Sequence, residues 1–328
     1  MNSQRRNVFS KIMEIKESGI LIPTVIFILI ISLVNPVFIS VGNIFNVLRS
    51  TGFTLITALG MSLVLIAGGL DLSVGSVLAL GGCVTGVAMT TYNLPISISI
   101  LLGCIAGLII GLLNGIVIIK YKIPPLIMTL GMMNMARGIV YILTKGVPIY
   151  PLAEKFQAIE QEDLWGIPKV VIIAGILAII AHVFLTHSTI GRSIYAVGGN
   201  RNAAQLSGIS INKINLICYS ITGILAALTG VIMSSRLGSA QPSAGVGYEL
   251  TVISAVIIGG TSTNGGSGTI AGTVIGALFI NILSNAMTIM KVSVYWQDFV
   301  IGFILIAAVV IDQLKKDRML LIGMNKKD

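Results

Sequence analysis

Charged residues are scarce in this chain. Only 10% of its 328 residues are Asp, Glu, Lys or Arg, while 55% are hydrophobic and the mean hydropathy is +0.97. Soluble proteins carry roughly 25% charged residues, so this chain has too small a polar surface for water. The composition excludes a soluble or a disordered protein and predicts an integral membrane protein.

Cysteine and histidine are also rare, and the familiar catalytic motifs are absent. The three cysteines lie inside apolar runs, which excludes a disulfide scaffold, and two histidines are too few for a zinc site. His182 on an apolar run is read as a helix-face residue, with a proton relay as the alternative. The chain has no Gly-Lys pair for a phosphate loop and no H-E-x-x-H, C-x-x-C or G-x-S-x-G motif. We therefore expect no catalytic residues, no metal site and no cofactor of its own.

Long apolar runs dominate what is present. At about 20 residues per crossing, they predict an all-α polytopic membrane protein of about ten transmembrane helices. The run 249–260 is too short to span alone and is predicted to be a broken helix, followed by a break at the glycine-rich residues 259–268. The predicted spans are Ile20–Ile39, 52–69, 72–92, 95–119, 123–143, 168–186, 213–235, 249–260, 269–290 and 296–312.

Basic residues set the expected orientation. Lys and Arg in short loops stay in the cytoplasm, and most of the 21 basic residues fall on one side if both termini are cytoplasmic. This places Arg49 outside. The expected organisation is one permease domain, with the regions 1–19 (cytoplasmic tail), 20–312 (transmembrane domain), 144–168 (the external loop), 187–212 (the docking loop) and 313–328 (cytoplasmic tail).

Glycines recur at intervals of four on two predicted spans. This spacing places small residues on one helix face, where two backbones approach closely, so tight packing is expected. A rocking contact in a transport cycle is the alternative. The residues are Gly103, Gly107, Gly111 and Gly115 on one span and Gly268, Gly272 and Gly276 on another.

Two ionisable residues are predicted at membrane depth. Asp71 and Ser73 lie between two apolar runs, where either side chain is expected to cap the following helix; a place in a solute path is the alternative. Arg137 lies within a span and is expected to hold backbone carbonyls at a helix break or to line a polar route. An ionic pair between Asp71 and Arg137 is conceivable.

The docking loop carries a capped short helix. Asn200 is a predicted N-cap, and the following two turns end at Gly208. Such a helix, with its small alanines, fits a groove on a partner, although an ordinary connector is the alternative. The candidate docking residues are Gly198, Gly199, Asn200, Ala203, Ala204, Leu206 and Gly208.

Several segments resemble the permease subunits of bacterial ABC importers for monosaccharides, of the ribose, xylose and arabinose type, with the nearest likeness to the ribose members. The resemblance covers roughly residues 45–312. It is carried by GGLDLSVGS (68–76), by GR and GGN with the AA and SGI stretch (191–209), by SAQP (239–242), by GYEL (247–250) and by GGTS (259–262).

The resemblance implies a multi-pass protein of the bacterial cytoplasmic membrane that works as a homodimer or with a closely related permease. It implies that ATP is used by cytoplasmic partner subunits, which bind the docking loop, and that an extracytoplasmic sugar-binding protein delivers the sugar; no nucleic acid is implied. Members of the family often carry an acidic residue where Asn202 stands and basic residues near Ser267 and Thr269, which leaves the partner contacts open.

Alternating access is the expected mechanism. Candidates for a weakly polar sugar path are Asp71, Ser73, Asn114, Asn134, Arg137, Gln241, Ser243, Asn281 and Asn285. The alternatives are an ABC permease for a nucleoside or a sugar-like signalling molecule, an ion-coupled secondary transporter that uses Asp71 and His182, and an intramembrane enzyme.

Overall fold

The computed structural model describes residues 18–324, most of which are helical. A short 3-10 helix, Pro36–Ile39, and a two-stranded hairpin interrupt the helices. The elements are α1 Ser18–Val34, α2 Val41–Ile66, α3 Val74–Thr90, α4 Ile96–Tyr121, α5 Pro125–Thr144, α6 Glu154–Gln161, β1 Asp163–Leu164, β2 Ile167–Pro168, α7 Lys169–His187, α8 Thr189–Gly199, α9 Arg201–Leu206, α10 Ile211–Leu237, α11 Tyr248–Ile258, α12 Ile270–Ile289 and α13 Val294–Met324.

Seven of these helices are long and apolar enough to cross a membrane, and three shorter apolar helices accompany them. The expectation of an all-α polytopic membrane protein is confirmed at this level. The count of ten crossings and the cytoplasmic position of both termini stay predictions. Of the two predicted tails, residues 1–17 and 325–328 lie outside the described part, and α13 continues into the second tail.

Two predicted boundaries are wrong. The first run does not stay helical to Ile39, because Pro36 lacks an N–H and holds Asn35 in an extended conformation (φ −141°, ψ 104°). The second span does not begin at residue 52. Ser40 caps α2 through a bond from the N–H of Asn43, so Arg49 lies within this helix and not in a loop.

Helix α2 forms the centre of the bundle. Every residue from 51 to 67 is buried, because α7, α8, α10, α11 and α12 pack around it. A helix that is apolar on all sides needs such a position. By contrast, α5, α7 and α13 leave most of their apolar side chains exposed or only half-buried, as lipid-facing or partner-facing helices do.

The external loop and the docking loop lie at opposite ends of α2. Arg49, near the start of α2, pairs with Glu160 and Asp163 of the external loop at 3.2 and 2.9 Å. Ile66, the last residue of α2, is contacted by α8 of the docking loop. The intervening 17 residues rise about 25 Å, close to the thickness of a bilayer core.

Candidate functional site

The segment between α2 and α3 places a carboxylate inside the bundle. Asp71 is 1% exposed, and its Oδ1 accepts hydrogen bonds from the Ser73 N–H at 2.8 Å and from the Ser73 hydroxyl at 2.6 Å. Ser73 is the N-cap residue of α3, but its own side chain makes no capping bond. The capping expectation therefore holds for Asp71, which closes the turn before the helix, and is wrong for Ser73.

Asn114 completes a polar cluster that we call the Asp71 cluster (Asp71, Ser73 and Asn114). Its Nδ2 donates to the Ser73 hydroxyl at 3.0 Å, and its side chain is fully buried on α4. The Tyr219 hydroxyl of α10 donates to the Leu70 carbonyl at 3.2 Å. Hydrogen bonds from α4 and α10, together with those inside the segment, thus hold these non-helical residues in place.

Arg137 of α5 holds a second break in the bundle together. Its Nη1 donates to the carbonyls of Pro242 and Ala244, both at 2.7 Å, and its Nη2 donates to the Gly75 carbonyl at 3.3 Å. The expectation that Arg137 binds carbonyls at a helix break is confirmed. Asp71 and Arg137 have separate hydrogen-bond partners, so the conceivable ionic pair is not formed among the described contacts.

The other path candidates are scattered in a single copy of the chain. Asn134 is exposed on α5, and its amide donates to the Leu130 carbonyl of the same helix at 3.3 Å. Gln241 donates to the Ser239 hydroxyl at 2.9 Å, in the loop after α10. Asn281 bonds the Ala277 carbonyl of its own helix at 2.8 Å. One chain therefore does not bring these amides together.

Ser243 and Asn285 also lie apart from the Asp71 cluster. Ser243 is exposed in the loop after α10. Asn285 exchanges two hydrogen bonds with Asn43, at 2.8 and 2.9 Å, which joins α12 to the start of α2. Sequence reasoning missed Asn43, although an asparagine among apolar residues was a signal that a partner exists.

The docking loop folds as two helices with a rigid connection. Asn200 caps α9, its Oδ1 accepting from the Ala203 N–H at 3.0 Å, and Gly208 follows the helix at φ +79°. Both features confirm the predicted helix. Ala203 is exposed, and Leu206 is 91% exposed.

Two candidate docking residues pack inside the chain. Ala204 is 4% exposed and belongs to the hydrophobic core. Gly198 faces α2, where an added Cβ would overlap the Ile66 carbonyl. The exposed surface of α9 is consequently formed by Arg201, Asn202, Ala203, Gln205 and Leu206.

This surface is basic. The docking loop, residues 187–212, contains Arg192 and Arg201, both exposed, and no Asp or Glu. Lys213 follows at the start of α10 and is exposed as well. A partner that binds here meets positive charge around one apolar side chain, so complementary acidic groups would favour the encounter.

The predicted packing glycines fall into two groups. Gly103, Gly107, Gly111 and Gly115 all lie on the face of α4 that contacts α3 or α10, and a Cβ at Gly111 would overlap the backbone of Tyr219. Gly272 and Gly276 similarly contact α11. Gly268 does not share their face, because it precedes α12 at φ +155°, so its assignment to the helix is wrong.

The external loop is fastened by a buried carboxylate that the sequence did not single out. Glu160 is fully buried; its Oε2 accepts from the Val170 N–H at 2.8 Å, and its Oε1 lies 3.2 Å from Arg49 Nε. Burial raises the pKa of Glu160, and the Val170 N–H and the positive charge of Arg49 oppose that shift. The loop is thus a folded part of the protein.

Comparison with known proteins identifies the group to which the chain belongs. The family model described as "branched-chain amino acid transport system / permease component" matches residues 43–309. No solved structure matches the chain.

Three curated relatives are ribose import permease proteins. That of Haemophilus influenzae is 43% identical over 89% of this chain and 91% of its own length. That of Escherichia coli is 39% identical, covering 95% and 98% of the two chains, and that of Bacillus subtilis is 40% identical, covering 95% and 97%. The predicted resemblance to monosaccharide permeases is confirmed, and the chain belongs to this permease family as a multi-pass protein of the bacterial inner membrane.

Proposed function

We propose that this chain is the membrane-spanning subunit of an ABC importer that carries ribose or a similar monosaccharide into the cell. The observation that carries the proposal is the 39–43% identity to three ribose import permeases over at least 89% of the chain. Xylose and allose permeases are also related, at 34% and 36% identity. A pentose or a closely related sugar is therefore the proposed substrate class.

Uptake into proteoliposomes tests the substrate and the energy source together. The complex is reconstituted with its ATPase and its binding protein, and ribose, xylose, allose and leucine are compared. We expect ribose uptake that requires internal ATP and continues when a protonophore removes the proton gradient. Arrest by the protonophore with ATP present would favour the ion-coupled alternative, and preferential leucine uptake would overturn the sugar assignment.

The docking loop is the proposed contact with the ATPase. Its surface combines an exposed Leu206 with a small Ala203 and surrounding positive charge, which suits a groove lined by apolar and acidic side chains. The chain itself uses no cofactor in this scheme, because ATP is hydrolysed on the partner subunit. An external sugar-binding protein delivers the substrate, so the path need bind the sugar only weakly.

A second copy of the chain completes the proposed path. Asn134 is a polar side chain on an exposed, otherwise apolar face of α5, where contact with lipid would cost free energy. Gly131 and Gly138, on the same face, have no neighbours within 4 Å of an added Cβ. Open glycines of this kind allow another helix to approach. In a dimer, the two Asn134 amides would offer hydrogen bonds to a passing sugar.

Cross-linking in membranes tests the dimer. In a background without Cys83, Cys104 and Cys218, Asn134→Cys is expected to give an oxidised dimer, because the two copies meet along α5. Ile179→Cys, on the exposed face of α7, serves as the control and should stay monomeric. Equal dimer yields from both variants would contradict the assignment of α5 to the interface.

A further inference from the structure

Three backbone segments meet at the end of α2 with no side chains between them. The Gly266 N–H donates to the Ile66 carbonyl at 2.8 Å. An added Cβ at Gly198 would overlap the same carbonyl, and one at Gly265 would lie 2.9 Å from Gly68 Cα. We call this contact the glycine junction (Ile66, Gly68, Gly198, Gly265 and Gly266).

The junction has little freedom to absorb movement. Gly68, Gly265 and Gly266 adopt φ values of +78°, +85° and +75°, which side-chain-bearing residues rarely adopt. Direct backbone contact leaves no side-chain rotamers that could relax when one segment shifts. The Tyr195 hydroxyl of α8 donates to the Gly268 carbonyl at 2.8 Å and forms a second tie between the same segments.

One side of the junction is continuous with the docking loop. Helix α8 ends at Gly199, and α9 begins at Arg201. The Asn200 N–H donates to the Ala196 carbonyl at 3.1 Å, while the Asn200 side chain caps α9. The two helices therefore move as a unit, and a displacement of α9 shifts Gly198.

The other side of the junction is continuous with the Asp71 cluster. Gly68 and Asp71 both lie in the short non-helical segment 67–73. The Tyr219 hydroxyl holds this segment by donating to the Leu70 carbonyl. Ser73 then starts α3 and accepts the hydrogen bond from Asn114. Because this segment is short, a shift of Gly68 moves the start of α3. The hydrogen bond from Asn114 to Ser73 then passes the shift to the buried amide of α4.

We infer that the glycine junction is the link by which movement of the docking loop reaches the Asp71 cluster. The inference rests on the proposed function, because an ATPase must displace α9. Gly198 and Tyr195 act as positioning residues: neither contacts the sugar, and both hold α8 against residues 66–68 and 265–268. The exposed apolar residues of α9 bind the partner, and the junction passes the motion inward.

A second glycine provides a matched control. Gly198→Ala places a methyl group against the Ile66 carbonyl, whereas Gly175→Ala, on α7 and outside the docking loop, places one where there is nothing within 4 Å. Both variants are assembled with the ATPase and the binding protein, and ATP hydrolysis and ribose uptake are measured on the same vesicles. In Gly198→Ala we expect normal association with the ATPase and retained hydrolysis, with ribose carried per ATP reduced at least about fivefold. Gly175→Ala should match the wild type.

A milder variant decides the question if Gly198→Ala does not fold. Tyr195→Phe removes only the hydrogen bond to the Gly268 carbonyl, and Tyr150→Phe, at an exposed tyrosine, is its control. Loss of one such bond is expected to lower ribose uptake per ATP about twofold to tenfold, with thermal stability in detergent close to that of the control.

The outcomes separate the junction from the proposed function. Wild-type coupling in Tyr195→Phe and in a folded Gly198→Ala would overturn the junction, and so would an equal loss in Gly175→Ala. If the wild-type chain neither retains the ATPase nor takes up sugar with ATP, the proposed function fails instead. A coupling defect at Gly198 with intact ATPase binding supports both.

Discussion

Helices α4 and α5 follow each other in the chain, and both are apolar and contain glycine, yet the structure uses them differently. On α4, the glycines at intervals of four are buried against α3 and α10, with Asn114 between two of them. On α5, Gly131 and Gly138 face open space, and Asn134 between them is exposed. The same residue types thus build an internal contact on one helix and a free face on the next.

This difference shows that small residues on one face of a helix allow another helix to approach closely. They do not show which helix that is. For α4 the partner is α10 in the same chain. For α5 none of the described helices occupies that face at Gly131 or Gly138, which supports the proposed second copy. Pairs of like residues, one buried and one exposed, therefore provide sharp tests.

The largest effect on stability is expected from a leucine at Gly111. The added side chain would overlap the backbone of Tyr219 and force α4 from α10, which should lower the free energy of unfolding by about 3 kcal/mol or more. Gly131→Leu, on the open face of α5, should fold normally. Thermal unfolding in detergent measures both, and similar losses would contradict the contrast between the helices.

A smaller loss is expected when the buried carboxylate of the external loop is removed. Glu160→Ala leaves the Val170 N–H and Arg49 without this acceptor, which should cost about 1–3 kcal/mol. Glu162→Ala, at a side chain that is 70% exposed, should change stability by less than about 0.5 kcal/mol. Limited proteolysis of residues 144–168 reports the change, and equal cleavage rates in the two variants would show that Glu160 does not fasten the loop.

Asn114 on α4 and Asn134 on α5 extend the comparison of the two helices to hydrogen bonding. Asn114→Ala removes the donor to Ser73 and should cost about 1–2 kcal/mol in thermal unfolding. Asn134→Ala should leave stability within about 0.5 kcal/mol but lower ribose uptake, because its amide is proposed to face the path. A stability loss at Asn134 without a transport defect would reverse this assignment.

The smallest effect on stability is expected at Ala203. Ala203→Arg lies on the exposed surface of α9 and should change unfolding by less than about 0.5 kcal/mol, while bulk and charge block docking and uncouple uptake from ATP hydrolysis. Ala203→Ser preserves the small side chain and is the control. Ala204→Arg, at the buried neighbour, should instead destabilise the loop. Normal uptake in Ala203→Arg would argue against docking at α9.

Local features were predictable where neighbouring residues decide them. Asn200 and Gly208 bound a helix because a side-chain cap and a left-handed glycine act within a few residues. The capping role of Asp71 and the break at residues 259–268 follow from the same short range. Boundaries failed where a local signal was overlooked, as at Pro36, or where polarity misled, as at Arg49, which lies within a helix capped by Ser40 and pairs there with Glu160 and Asp163.

Contacts between distant segments were not predictable from one sequence. Gly198 and Ala204 carry the composition of a docking surface but pack against the chain itself. Glu160 looks like any acidic loop residue, and only the fold brings it to Arg49 and Val170. The path candidates likewise separate into the Asp71 cluster and amides that lie apart from it, because helix rotation is set by packing partners far away in the chain.

The residues alone determined that this protein lives in a membrane, is built of helices and belongs with sugar permeases, because apolar content and local motifs are properties of neighbouring positions. Tertiary structure decided which glycines touch, which asparagine is buried, and how the end of α2 meets the docking loop. Those contacts join residues on different helices, such as Ile66 and Gly198, and only close packing in three dimensions selects them.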